Sequence, residues 1–145
     1  MSQTFTLALT GVSNVVTALT RLGTEAQPAL RAALYAEGRA LLTDSLALVP
    51  RMDSVLAGSG TVQEVTASVP TVVVGYGGAA APYALSVHEN PRSGKTGGIG
   101  PSGQQYKKWA QTGQWKYLEQ PYKALVPQFS AHIAAFLRAR LVRGG

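Results

Sequence analysis

The first segment of the chain alternates. Thr4-Phe5-Thr6-Leu7-Ala8-Leu9-Thr10 sets apolar and polar side chains at period two, is rich in threonine and stops at Gly11, which predicts a half-buried strand. Ser13 and Asn14 can each accept from the free amides of a following turn, and Val15, Val16, Leu19 and Leu22 then recur at three- and four-residue steps up to Gly23. A short helix closed by that glycine is expected. Pro28 suits the first turn of a longer helix, which carries Leu30, Leu34, Leu41, Leu42 and Leu48 among alanines and ends before Pro50. Gly38 inside it should weaken the helix by about 1 kcal/mol relative to alanine.

Residues 51–60 read as a loop, and 61–69 and 71–76 are valine- and threonine-rich runs separated by Pro70, which predicts two adjacent antiparallel strands. Pro82-Tyr83-Ala84-Leu85-Ser86-Val87-His88-Glu89 is a compact apolar stretch that suits one short helix, although its type is ambiguous from periodicity alone. Residues 90–114 hold six of the sixteen glycines, Pro91, Pro101 and four basic residues with no sustained period. A long loop of this kind inside a compact domain is more often functional than idle. Pro121 is expected to start the last helix, with Leu125, Phe129, Ile133, Phe136 and Leu137 on one face. Arg138, Arg140 and Arg143 then suit its negative end, and Gly144-Gly145 fray. With no internal repeat, the order β, α, α, β, β, loop, α describes one α+β domain over residues 1–145: a small antiparallel sheet packed against a long N-terminal helix and a C-terminal helix, with a long Gly-rich loop.

Composition narrows the function classes. The chain has 145 residues, 46% of them apolar and only 14% charged, against roughly 25% charged in an average globular protein. That argues against disorder and suggests that part of the weakly charged surface is covered by other subunits. Without cysteine, disulfides, thiolate metal sites and cysteine nucleophiles are excluded. No apolar run approaches the roughly 18 residues of a membrane span, and the N-terminus lacks a secretion signal, so a soluble intracellular product is expected. The charge is uneven: residues 1–91 carry four basic and six acidic side chains (−2), residues 92–145 nine basic and one acidic (+8). An anionic partner would therefore meet the C-terminal third.

Candidate chemistry is sparse. Gly98-Ile99-Gly100-Pro101-Ser102-Gly103 matches the spacing of a dinucleotide fingerprint, but no strand precedes it and Pro101 lies where a helix should begin. Ser93-Gly94-Lys95-Thr96 has the end of a phosphate-binding loop without its leading glycine, because position 89 is Glu89. His88 beside Glu89 lacks the second histidine of a zinc-protease helix, since that position is Arg92. A structural hydrogen bond tying a loop to the sheet is the expected role of the pair. His132 lies between Phe129 and Phe136 at helical spacing, at the margin of a buried face. Neither a carboxylate pair nor a nucleophile with its base can be assembled, so no enzyme and no cofactor or metal is expected. Tyr106, Trp109, Trp115, Tyr117 and Tyr122 are interleaved with Lys107, Lys108, Lys116 and Lys123. Such a mixture suits a protein interface first, and nucleic-acid contact or a solvated loop next.

Three segments, in order, resemble a family of tailed-bacteriophage head-to-tail joining proteins: neck, tail-completion or minor tail components. The first is Val49-Pro50-Arg51-Met52-Asp53-Ser54-Val55-Leu56-Ala57-Gly58-Ser59, in which Ser54 stands where the family usually has glycine and Ala57 where a basic residue commonly follows the leucine. The second and most specific is Tyr83-Ala84-Leu85-Ser86-Val87-His88-Glu89-Asn90, after a valine-rich strand. The third is Lys116-Tyr117-Leu118-Glu119-Gln120-Pro121, after a Gly-rich loop. The resemblance covers most of the chain.

It implies a small α+β subunit without catalytic residues, repeated as a ring in the virion neck between the head connector and the tail-tube or terminator proteins, and assembled in the host cytoplasm. Subunit contact is then expected at Tyr106, Trp109, Trp115 and Tyr117, with Tyr83, His88 and Glu89 fixing the base of the loop. Lys95, Lys107 and Lys108 would face the DNA path or an acidic neighbour. A tail terminator that caps the tube is the alternative within the virion, and a small nucleic-acid-binding module the alternative outside it.

Overall fold

The computed structural model describes residues 5–7, 26–50, 54–65, 68–90, 93 and 113–143. The helix expected between Ser13 and Gly23 and the end at 144–145 lie outside them. In chain order the elements are β1 (Phe5–Leu7), α1 (Ala26–Leu48), α2 (Val55–Gly58), β2 (Gly60–Val65), β3 (Thr71–Tyr76), α3 (Ala81–Glu89), α4 (Glu119–Leu125) and α5 (Phe129–Arg143). Single 3-10 turns occupy Gly78–Ala80 and Val126–Gln128. The expected α+β architecture is present, and no helix among the described residues is long and apolar enough to cross a membrane.

Helix α1 is the spine. Ala29, Leu30, Ala33, Leu34, Gly38, Leu41 and Ser45 are buried at steps of three to four residues, so one stripe of the helix faces inward along its whole length. Its first half packs against Phe129 and Ile133 of α5, with Phe136 and Leu137 at the margin. Its second half belongs to a separate cluster that holds Leu41, Val49, Leu56, Val74, Tyr76, Ala80, Ala84, Tyr117 and Leu118.

The sheet has the order β1-β3-β2 and is antiparallel throughout. Phe5 lies opposite Tyr76 and Leu7 opposite Val74 on one side of β3, while Val62 lies opposite Val74 on the other. The second strand ends at Val65 rather than at 69. Val65 already stands opposite Thr71, the first residue of β3, so there is no more of that strand for the run to pair with.

Gly38 corrects the propensity argument made from sequence. A Cβ built there would stand 2.8 Å from Val72 Cγ1 and 2.9 Å from Val62 Cγ1. Both are stiff branched side chains of the sheet, so the missing side chain lets helix and sheet approach, and close packing outweighs the helical cost.

Two local expectations also change. Within 51–60, Val55–Gly58 form one helical turn that buries Leu56. Ser54 precedes this turn at φ 66, in the left-handed region that a glycine would occupy without a side-chain clash. The last helix starts two residues before Pro121, which is buried in the first turn of α4, where a missing amide costs nothing. It is broken again around Pro127, whose ring cannot continue the ladder.

Candidate functional site

The second and third motif segments meet where the chain returns at Gly113. This residue has φ +79, and a Cβ on it would lie 2.5 Å from Val49 C and from Pro50 N. Backbone therefore lies directly on backbone, and the amide of Gln114 donates to the carbonyl of Leu48 at 2.7 Å. Two residues on, the amide of Lys116 donates to the carbonyl of His88 at 2.8 Å. Lys116 is itself left-handed at φ 56. That turn sends Tyr117 and Leu118 fully inside, both at 0% exposure, and leaves the Lys116 ammonium at the rim.

His88 lies one turn after Ala84 on the inward face of α3 and is 1% exposed. Its Nδ1 is 2.6 Å from Glu89 Oε1, and its Nε2 accepts the main-chain amide of Glu119 at 3.3 Å. An accepting Nε2 assigns the ring proton to Nδ1, which donates to Glu89. Burial pushes the imidazole below its ordinary value of 6.5 and outweighs the attraction of Glu89.

Tyr117 stands edge-on to this ring, with centroids 4.9 Å apart, and edge-on to Tyr76 at 5.1 Å. Its hydroxyl donates to the carbonyl of Ala84 at 2.7 Å, and the Tyr76 hydroxyl is 2.7 Å from Ser45 Oγ. Burial raises the Tyr117 phenol well above 10.0, so it stays a donor. A continuous polar and aromatic line thus runs from Ser45 in α1 to Glu89 at the surface.

Around the rim is an ion-pair hub. Lys116 Nζ is 2.5 Å from Glu89 Oε2 and 2.9 Å from Glu119 Oε2, and Lys123 Nζ is 2.6 Å from Glu119 Oε1. Hydrogen bonds from Lys123 and then Lys116 pull the Glu119 carboxyl down to about 2. Burial works against Glu89, but the hydrogen bonds from Lys116 and His88 still leave it below 4.5. The bond to Glu89 raises Lys116 above 10.5. Lys116 Nζ also lies 5.7 Å from the centroid of the Trp115 ring.

Among the described residues, His88, Glu89 and Glu119 are the one group whose ligand atoms converge, within 4.8 Å of one another. The Lys116 ammonium already bridges the two carboxylates, so the cation at this place is the chain's own.

The expected structural tie at His88 is present, although it binds the chain after 113 to α3 rather than a loop to the sheet. Tyr117 was expected at the subunit contact, and His88 beside it at the base of the loop. At 0% and 1% exposure they have no surface to offer another subunit, because both rings fill the joint between α3 and α4. Tyr83 and Trp115 are half-buried and Glu89 is exposed, so these three keep accessible surface. Tyr106, Trp109, Lys95, Lys107 and Lys108 lie outside the described residues, as do the Gly98-to-Gly103 spacing and all of Ser93-to-Thr96 except Ser93. The exposed His132 pairs with Glu37 at 3.1 Å.

Sequence reasoning missed Gly113 and the hub of Lys116, Glu119 and Lys123. Part of the latter had a signal: Lys123 stands four residues after Glu119, the spacing at which charges meet along a helix. Compared with protein-family models, characterised proteins and solved structures, the chain has no match.

Proposed function

We propose that the chain is a structural subunit of a tailed-bacteriophage virion, forming a ring in the neck that joins or completes the tail at the DNA-filled head. The observation that carries this reading is the meeting of the three motif segments. Val49 and Leu56 from the first, Ala84 from the second, and Tyr117 and Leu118 from the third belong to one buried cluster, with Tyr83 and Val87 packed against it.

The chemistry of that joint supports a scaffold. His88, Glu89, Lys116 and Glu119 hydrogen-bond to one another or to main chain, and each bond locks a segment in place. A closed ring needs two different complementary faces on each subunit. In this reading the accessible surfaces of Tyr83, Glu89 and Trp115, with Tyr106 and Trp109, supply contacts between copies and to the head connector and tail proteins. Lys95, Lys107 and Lys108 face DNA or an acidic neighbour.

Electron microscopy of lysates from the parent virus with this gene deleted tests the proposal. Filled heads beside separate tails of normal length are expected. Over-long or irregular tubes would assign a terminator role instead, and wild-type particles in normal numbers would overturn the reading. Steeply salt-dependent binding of single strands by the purified protein, with normal particles, would favour a nucleic-acid-binding module.

A further inference from the structure

We propose that His88 is an acid-released latch, which holds the start of α4 to the end of α3 only while its Nε2 carries no proton. The inference is independent of the ring assignment, since it rests on this chain's own contacts.

The geometry is that of an acceptor that a proton abolishes. Nε2 of the buried ring receives the main-chain N–H of Glu119 at 3.3 Å. A proton on Nε2 would set two donors face to face at that distance, one of which must move. The ring is wedged edge-on against Tyr117 and held at Nδ1 by Glu89, so the freer partner is the amide at the beginning of α4. Releasing it detaches the first turn of that helix and uncovers Leu118 and Tyr117.

The charged and titratable groups facing His88 among the described residues are few. Its own helix supplies Glu89. The returning segment supplies Lys116, whose ammonium opposes a second positive charge, and the neutral phenol of Tyr117. Helix α4 supplies the carboxylate of Glu119, which already receives Lys116 and Lys123. Strand β3 supplies Tyr76 beyond Tyr117, and β1 and the turn Gly78–Ala80 supply no titratable group.

Burial holds the closed-state imidazole below 6.5. The opened state takes up its proton first as pH falls, so closure weakens below 6.5 and stops weakening once the closed form also protonates. Glu119, at about 2, is still ionised where the opened imidazole begins to take up its proton. The latch therefore opens well before acid dissolves the ion pairs.

Amide hydrogen exchange on the intact chain, read as protection factors at about pH 7.5 and about pH 5.5, tests this. Protection of the α4 amides should fall several-fold, up to about ten-fold per pH unit below the open-state value, while α1 and β3 keep theirs. The variant His88→Gln offers an amide oxygen that does not titrate, and if it folds its α4 protection should be the same at both pH values. The wild-type pattern decides alone if it does not fold. Unchanged α4 protection while the imidazole signals titrate would mean that the ring has found a new acceptor, and it would overturn the latch. A parallel loss in α1 and β3 would overturn it equally, as global acid unfolding.

Discussion

The hydroxyl of Tyr117 donates to the carbonyl of Ala84 at 2.7 Å across 33 residues of sequence, and the same ring separates His88 from Tyr76. One side chain therefore joins α3, the end of β3 and the returning segment. Tyr117→Phe keeps the ring and loses the bond, and should cost about 1 kcal/mol. Tyr117→Ala also leaves a cavity and should cost about 3–5 kcal/mol. Denaturant midpoints at constant slope measure both.

Gly38→Ala should destabilise the fold by about 1–3 kcal/mol, although alanine is the better helix former. The added methyl meets Val72 and Val62 at under 3 Å. Thermal melts of the two proteins give the sign, and a rise in midpoint would contradict the close approach of helix and sheet.

Ser54→Gly should stabilise by up to about 1 kcal/mol, because the left-handed backbone at φ 66 costs an L-residue more than glycine. Part of that gain is offset by the larger entropy of glycine in the unfolded chain. A midpoint that falls would show that Ser54 earns its place through its side chain.

Gly113→Ala should cost more than about 3 kcal/mol, since it combines a positive φ with a methyl driven into the main chain of residues 49 and 50. Unlike the Gly38 variant, it should also weaken exchange protection at the amide of Gln114, whose bond to Leu48 depends on that contact.

Acid should act on the hub in a second, lower window. Glu89 lies below 4.5 and Glu119 near 2 in the folded chain, so the stability they contribute is complete above 4.5 and is lost as pH falls toward 2. Lys116→Met removes one partner of each carboxylate, and Lys123 still holds Glu119. The variant should therefore show a shallower loss between about pH 4.5 and pH 2 in denaturant titrations. An unchanged slope would mean that Lys116 holds these carboxylates too weakly to matter.

Periodicity made the spine legible: Leu30, Leu34 and Leu41 announced the inward stripe of α1, and Phe129 with Ile133 that of α5. The turn Val55–Gly58 escaped because four residues are too few to show a period. Gly38 was misjudged because propensity counts the cost within a helix and not the distance to a sheet. His88 with Glu89 was recognisable as a structural pair from adjacency alone. Its acceptor, the Glu119 amide, lies 31 residues away, and only the fold brings the two together. Lys116 was missed for the same reason, since its first carboxylate is 27 residues upstream.

Gly113 carries one more consequence. On one side the amide of Ser93 is tied to the carbonyl of Asn90, and on the other Gly113 rests on residues 49 and 50. Both are contacts of the main chain. The point at which the chain rejoins the body is therefore set by backbone geometry, whatever side chains neighbour it.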